Sequence, residues 1–431
     1  MNKIFLSVVL LLPFFANGQT TISLKSAIDT MLNNSFEVKI ATNNIGINKM
    51  NNTYGVAGGL PSVNINLTDN QSSTNVNQKL NSGVNIQKSS ASGNTMTSSI
   101  AVGIPLFNGF KIMATKGRLG HLQKMSELQL NLLIQNSIAA VMAKYYDIIR
   151  QQEYLKIIMV SLDVSQKKLD IVTDRRNVGL ANDADFLQAQ IDVNTATQLL
   201  KSQQLIVDQA KTDLLQLMSR NNFYDYSVND TILVDRSIQL KTITDYLSQN
   251  PQYLSAGQQV KINEQIVKEV SSLRYPSLRL NTGYNLNRTQ SDAGLTLLNQ
   301  NYGPFAGITM AIPIYNGNAY KIQKETALSN VDNAKLQQQS LLNVLTADAV
   351  KTYHSYSNTL QQIDSQDNTI IMAKKLINVV LLRFQVNQAT ILDVKAAQAS
   401  FENSGYQLVN LEYAAKIAEI ELKRLMYQLG N

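Results

Sequence analysis

The chain has no cysteine, no tryptophan and only two histidines, His121 and His354. Without cysteine there are no disulfide staples, thiolate metal ligands, cysteine nucleophiles or lipid-modified N-terminal cysteine. Two histidines so far apart do not make a metal site, and no metal or other cofactor is expected. Charge is also scarce. Only 16% of the 431 residues are charged, against about 25% in ordinary soluble domains. Uncharged amides take their place, with 45 Asn and 37 Gln. The net charge of +7 comes from dispersed Lys and Arg, and nucleic-acid binding calls for a clustered basic patch, so no nucleic acid is expected as a partner. There is no glycine-rich phosphate loop, nucleophile elbow or His-Glu-x-x-His, so no catalytic residue and no enzyme activity is expected.

Long hydrophobic runs are missing as well, apart from Ile4 to Phe15. That run follows Lys3 and precedes Ala16-Asn17-Gly18, which reads as a signal peptide over residues 1–18 cleaved before Gln19. It is shorter than the roughly 20 residues a membrane helix needs. A membrane β-barrel stays open, because its strands alternate and escape hydropathy.

The sequence is written twice. Ile22-Ser-Leu-Lys-Ser-Ala-Ile-Asp29 recurs as Ile238-Gln-Leu-Lys-Thr-Ile-Thr-Asp245, and Leu60-Pro-Ser-Val63 as Tyr275-Pro-Ser-Leu278. Ile104-Pro-Leu-Phe-Asn-Gly109 recurs as Ile312-Pro-Ile-Tyr-Asn-Gly317. Arg175-x-x-Val-x-x-Ala, followed by Asp185 and Gln190, recurs from Arg383 with Asp393 and Gln398. Blocks matched in one order imply a tandem duplication. The first repeat covers 19–220, a polar bridge 221–237 and the second repeat 238–431.

Proline is absent between Pro105 and Pro251 and after Pro313, and glycine is absent from 121 to 178. Runs free of breakers suit long helices. Ile134, Ile138, Val141, Tyr145, Ile148, Leu155, Met159, Leu162 and Leu169 follow 3–4 spacing with interruptions at Gln152 and Gln166, which is a coiled-coil seam. Tyr145 and its repeat equivalent Tyr353 fall on that seam or its copy and read as core. The pattern predicts helices over 111–175 and 183–220, copied over 318–385 and 392–428. The turns between them hold Gly179 and Asn387, the residue types that best tolerate a left-handed backbone.

Between the helices the period falls to two. Val63, Ile65 and Leu67 alternate with Asn64 and Asn66, and Ile100, Val102 and Ile104 with Ala101 and Gly103. Leu278 and Leu280, then Ile308, Met310 and Ile312, do the same. Four strands of about ten residues are expected, the length of a tilted membrane strand. Phe107, Tyr284, Tyr302, Phe305 and Tyr315 are expected near the interfaces. Asn70 to Met96 is expected to be a long external loop. Four strands cannot close a barrel, since the smallest has eight, so several copies must share one.

The duplicated Pro-x-Phe/Tyr-Asn-Gly blocks and Asp393-Val-x-x-Ala-Gln398 resemble the outer-membrane efflux protein family over 22–429. The resemblance implies a mixed α and β fold. It would be a homotrimer with a twelve-strand transmembrane β-barrel, four strands per chain, continued by a long α-helical coiled-coil periplasmic tunnel. The implied function is the exit duct of a tripartite efflux pump or type I secretion system in the cell outer membrane. Implied partners are outer-membrane lipid, an inner-membrane transporter and a periplasmic adaptor (membrane fusion protein) docking at the turns of Gly179 and Asn387. Asp393, Asp185 and Phe384 would then ring the periplasmic entrance. The family pattern has a second Asp where this chain has Ala396, and an entrance Tyr and Arg where it has Phe384 and Ala389. Without those groups, closure is expected to rest on apolar packing, not on a polar latch through Asp185. Helix capping is the alternative role for Asp185 and Asp393. The alternative function is a periplasmic coiled-coil or adaptor-like protein without a barrel.

Overall fold

A computed structural model of the chain describes residues 20–220, 223 and 225–430. The expected signal peptide lies outside these residues, as does part of the 221–237 bridge. The elements run β1 (Thr20–Thr21), α1 (Leu24–Asn34), α2 (Phe36–Asn51), β2 (Ser62–Lys79), β3 (Asn85–Asn108), α3 (Lys111–Asn177) and α4 (Asp183–Leu217). There follow β4 (Tyr226–Ser227), α5 (Leu240–Tyr246), a single 3-10 turn, α6 (Pro251–Ser272), β5 (Ser277–Ser291), β6 (Leu298–Ala311), α7 (Ala319–Gln385) and α8 (Ile391–Leu425). Among the described residues no helix is long and apolar enough to cross a membrane.

The chain forms two compact units, each drawing on both halves of the sequence. The first takes the chain up to Ile40, Leu132–Asn250 and everything from Val344. Its core joins Ala27 and Met31 of α1 to Val141, Tyr145 and Ile148 of α3, Leu214 of α4 and Tyr226 of β4, all buried. The Tyr145 hydroxyl donates to Asp230, with the Ile22 carbonyl 3.2 Å away, and burial pushes that phenol up. In the second half it is Tyr356 that is buried, while Tyr353 is only half-buried.

The bridge after β4 is pinned to α7 and α8. Glu419, 2% exposed, accepts from Lys416, Lys423 and the Asp235 amide. Lys416 also donates to the Leu233 carbonyl, Tyr356 to the Asp235 carbonyl and Arg236 to Asp364. Asp235 is held down to about 2 by the Ser237 hydroxyl and amide and by Lys423. Two ammonium groups and one amide satisfy the buried Glu419 carboxylate, which is the condition for burying a charge.

The α3 seam departs from its expected register beyond Ile148. Met159 is 50% exposed; Val164 is buried, and so are Ile158, Ser161, Ser165, Lys168 and Val172 in a second row. They keep heptad spacing but sit one residue before the apolar positions Met159, Leu162 and Leu169. Polar partners decide the register. Lys168, fully buried, pairs with Asp192, while Ser161 and Ser165 bond Gln398, and Ser161 also bonds Glu402.

The second unit takes Ala41–Asn131 and Pro251–Asn343. It holds α2, α6 and the four-stranded antiparallel sheet, ordered β2-β3-β5-β6. Arg118 pairs with Glu269 at 2.7 Å, Asn52 bonds both Lys116 and Gln123, and His121 bonds Gln258. The expectation of a long loop over 70–96 is overturned, since β2 and β3 pair without interruption of the hairpin from Ser62↔Gly103 to Lys79↔Asn85, with one bulge at Thr74/Val76. The four strands are 18, 24, 15 and 14 residues long, not about ten. The Ser-, Asn- and Gly-rich stretch has weak strand propensity, but ladder pairing closed by Gly83 at φ +83 overrides it.

Candidate functional site

Residues directly opposite in antiparallel strands share a face, so the pairing register sorts the sheet into two. One face is stacked in apolar rows, described here from the helical end. Phe107, Leu278 and Met310 lie in the first row, and Ile104, Leu280 and Ile308 in the second. Val63, Val102, Thr282 and Ala306 follow, then Ile65, Ile100, Tyr284 and Pro304, then Leu67, Ser98, Leu286 and Tyr302. The next row, Asp69, Met96, Arg288 and Gln300, is polar and charged. From Leu278 to Leu286 the apolar rows span about 27 Å of strand at ~3.4 Å per residue. Tilted by about 40°, they cover roughly 20 Å of height, near the ~25 Å band of membrane barrels. On β2 and β6 these apolar side chains are exposed in the single chain, Ile65 at 73% and Ile308 at 65%, while several on β3 and β5 are half-buried.

The opposite face carries amides, hydroxyls and glycine: Ser62, Gly103, Asn281 and Gly307, then Asn64, Ala101, Gly283 and Phe305, then Asn66, Ser99, Asn285 and Gly303. Asn281 donates to Thr309 and Asn287 to Asn301. Two large side chains on this face fold flat over glycines of the neighbouring strand. A Cβ on Gly103 would stand 2.1 Å from the Arg279 guanidinium, and one on Gly283 would stand 2.9 Å from the Phe305 ring. Phe305 therefore belongs to the polar face, not to the aromatic rim expected for it. Tyr284 and Tyr302 are on the apolar face. Alternation revealed the two faces. Gly103 and Gly283 lie within strands with no turn to make, which is the mark of a close approach.

The helical turns form the second candidate region. Gly179 at φ +76 and Asn387 at φ +67 end α3 and α7. The same bonds close both turns: Gly179 and Leu180 amides to Arg176 and Arg175 carbonyls, and Asn387 and Gln388 amides to Phe384 and Arg383 carbonyls. This paired pattern is a Schellman closure, with the left-handed residue at its centre. The following helices start on caps. Asn182 accepts the Asp185 amide at 2.7 Å, and Thr390 forms a reciprocal capping box with Asp393.

Asp393 Oδ2 is engaged in this box, accepting the Thr390 amide and hydroxyl, each at 2.8 Å. Those bonds and the nearby Arg383 charge hold its carboxyl below the usual range. Asp185 is half-buried in the first turn of α4. Phe384 is a core residue, 3% exposed beside Ile377, Val394 and Phe401. Packed in this way, Phe384 presents an apolar ring and no polar group at the turn. Its ring lies 4.6 Å under the Arg175 guanidinium, which also donates to the Phe384 carbonyl. Arg176 stacks over Phe186 at 4.4 Å and pairs with Asp183 at 2.8 Å.

Deeper in this unit, burial pushes the Asp192 carboxyl up, but Lys168 and Gln188 bonds and the Lys395 charge outweigh it and the net direction is down. Glu412 has no such partner, and burial beside Asp367 and Glu153 raises it to about 7. Neither group was legible from sequence, because each depends on which helix faces it.

A sheet with one apolar and one amide face suits a boundary between lipid and water. A sequence model of the family described as outer membrane efflux protein matches residues 27–220 and 242–426, and the chain belongs to that family. Outer membrane protein TolC of Vibrio cholerae is 22% identical over 309 residues, covering 69% of this chain and 69% of the relative. TolC of Escherichia coli is 21% identical over 313 residues, covering 69% of this chain and 62% of its own length. The solved outer membrane protein VceC of Vibrio cholerae superposes with a TM-score of 0.74 at 17% identity, covering 94% of this chain and 95% of that one. The chain is thus an outer-membrane protein with the fold of an efflux channel.

Proposed function

We propose that three copies of the chain form the exit duct of a tripartite efflux pump or a type I secretion system, passing substrates from periplasm to exterior without catalysis. The carrying observation is the sheet's edges. Among the described residues β2 and β6 have no strand partner on their outer sides, and their apolar faces are exposed. An unpaired strand edge is intolerable in lipid. The strands alternate in direction across β2-β3-β5-β6, so β6 of one copy meets β2 of the next antiparallel. At least eight strands are needed, and the family resemblance gives three copies and twelve strands. The apolar rows then face lipid and the amide rows the lumen, with the helices forming a periplasmic tunnel. An adaptor at the Gly179 and Asn387 turns and an inner-membrane transporter complete the path.

The tandem repeat is supported by the helix bounds: α7 and α8 begin and end 208 positions after α3 and α4, at 67 and 35 residues each. Native mass measurement of the protein extracted from the outer membrane tests the reading. A trimer is expected, and a soluble periplasmic monomer sinks it in favour of the adaptor-like alternative.

A further inference from the structure

From the row of Ser62 to that of Thr74, the amide face carries no charged residue. One arginine, Arg279, stands on this face immediately before those rows, paired with Pro105 on β3 and Thr309 on β6. Its guanidinium reaches back across β3, over Gly103, and donates to Ser62 Oγ on β2 at 3.1 Å. The side chain spans three strands and lies along the wall, so its charge is fixed in place while the bore stays clear. No carboxylate pairs with it among the described residues. The surrounding unit holds 15 Lys and Arg against 7 Asp and Glu, net +8. The whole chain nets +7, so the excess positive charge resides in the sheet-bearing unit.

We propose that Arg279 sets the charge preference of the duct, forming a three-guanidinium collar at the helical end of the barrel that favours anions and substrates carrying anionic groups. The proposal rests on the trimeric reading above, which brings three copies of the amide face around one axis. A ring of like charges in a narrow, low-dielectric wall raises the local concentration of counter-ions and opposes co-ions. Gly103 is part of the device, since any side chain there would lift the arginine off the wall.

The test is the reversal potential of the purified trimer in planar bilayers under a KCl gradient. R279Q is expected to lower the chloride-to-potassium permeability ratio by roughly threefold or more, as removal of an unscreened wall charge requires. R279K should retain most of the preference. T309D leaves Arg279 and its Ser62 contact in place and sets a carboxylate directly opposite, so it should reproduce the R279Q shift. An unchanged ratio in both R279Q and T309D overturns the collar while leaving the duct intact. Absence of any conductance in the wild-type trimer overturns the duct reading, and the collar with it.

Discussion

Arg175 in the last turn of α3 lays its guanidinium on the ring of Phe384 in the last turn of α7 and donates to the Phe384 backbone carbonyl. One side chain thereby does two jobs. It supplies a second donor to a helix-end carbonyl that already accepts the Asn387 amide, and it adds a cation–π contact to a buried ring. The two helical hairpins of the first unit are joined at their turns by this contact and by the apolar cluster around Phe384.

The capping box at α8 gives the simplest stability prediction. T390A removes the side-chain acceptor for the Asp393 amide, and D393N weakens the reciprocal bond. Each is expected to cost about 1 kcal/mol, the usual worth of an N-cap. The two groups form one unit, so the double variant should cost clearly less than the sum of the singles. Melting of the helical circular dichroism signal in detergent measures this, and strict additivity would show that the box does not act as a unit.

Glu412 predicts a pH dependence. Its folded value of about 7 lies above that of an unfolded glutamate. The folded state therefore binds the proton more tightly, and its stabilising effect is full below the unfolded value and lost as pH rises through about 7. Partial exposure screens the effect, leaving roughly 1–2 kcal/mol of lost stability between pH 5 and pH 8. E412Q should flatten the curve over that window. A wild-type protein more stable at pH 8 than at pH 5 would contradict the assignment.

Local rules carried the reading as far as the elements. Breaker-free runs gave the long helices to within a few residues, Gly179 and Asn387 marked their turns, and two-residue alternation separated Ile65 from Asn64. Propensity failed at 70–96, where a polar ribbon is held by cross-strand pairing that composition does not encode. The seam failed at Met159 for a related reason. Lys168 is buried because Asp192 of another helix neutralises it, and no single-helix pattern reveals that partner. Asp393 was legible as a cap. The Arg279–Gly103 packing was not, because it requires knowing that β5 lies beside β3.

The turns themselves yield a contrast. No atom lies within 4 Å of a Cβ built on Gly179, so the cost of a side chain there is purely the left-handed backbone. A β-branched residue bears that cost most heavily, at roughly 1–2 kcal/mol or more. G179V should therefore reduce export in cells while trimer and barrel persist on native gels. N387G should be neutral or slightly stabilising, because glycine adopts the same conformation freely. Equal loss of export in G179V and N387G would mean that the side chains, not the backbone geometry, matter at these turns.

The last prediction separates two ways of holding the entrance shut in the proposed trimer. Asp185 uses its backbone amide for the Asn182 cap, and Ala389 and Phe384 supply no polar partner for a latch through its carboxylate. D185A should therefore leave resting single-channel conductance almost unchanged. Arg175 is different, because its removal strips both a carbonyl donor and a ring contact from the end of α7. R175A is expected to cost about 1–2 kcal/mol at the turn and to raise resting conductance several-fold, the Boltzmann consequence of weakening a closed state by that amount. F384L keeps apolar volume but loses the π face, so it should show part of the same rise. Coupling between R175A and F384L, measured as a shortfall from additivity, would tie the effect to their contact. If instead D185A opens the channel while R175A does not, the carboxylate holds the entrance and the Arg175–Phe384 pair serves the hairpin alone.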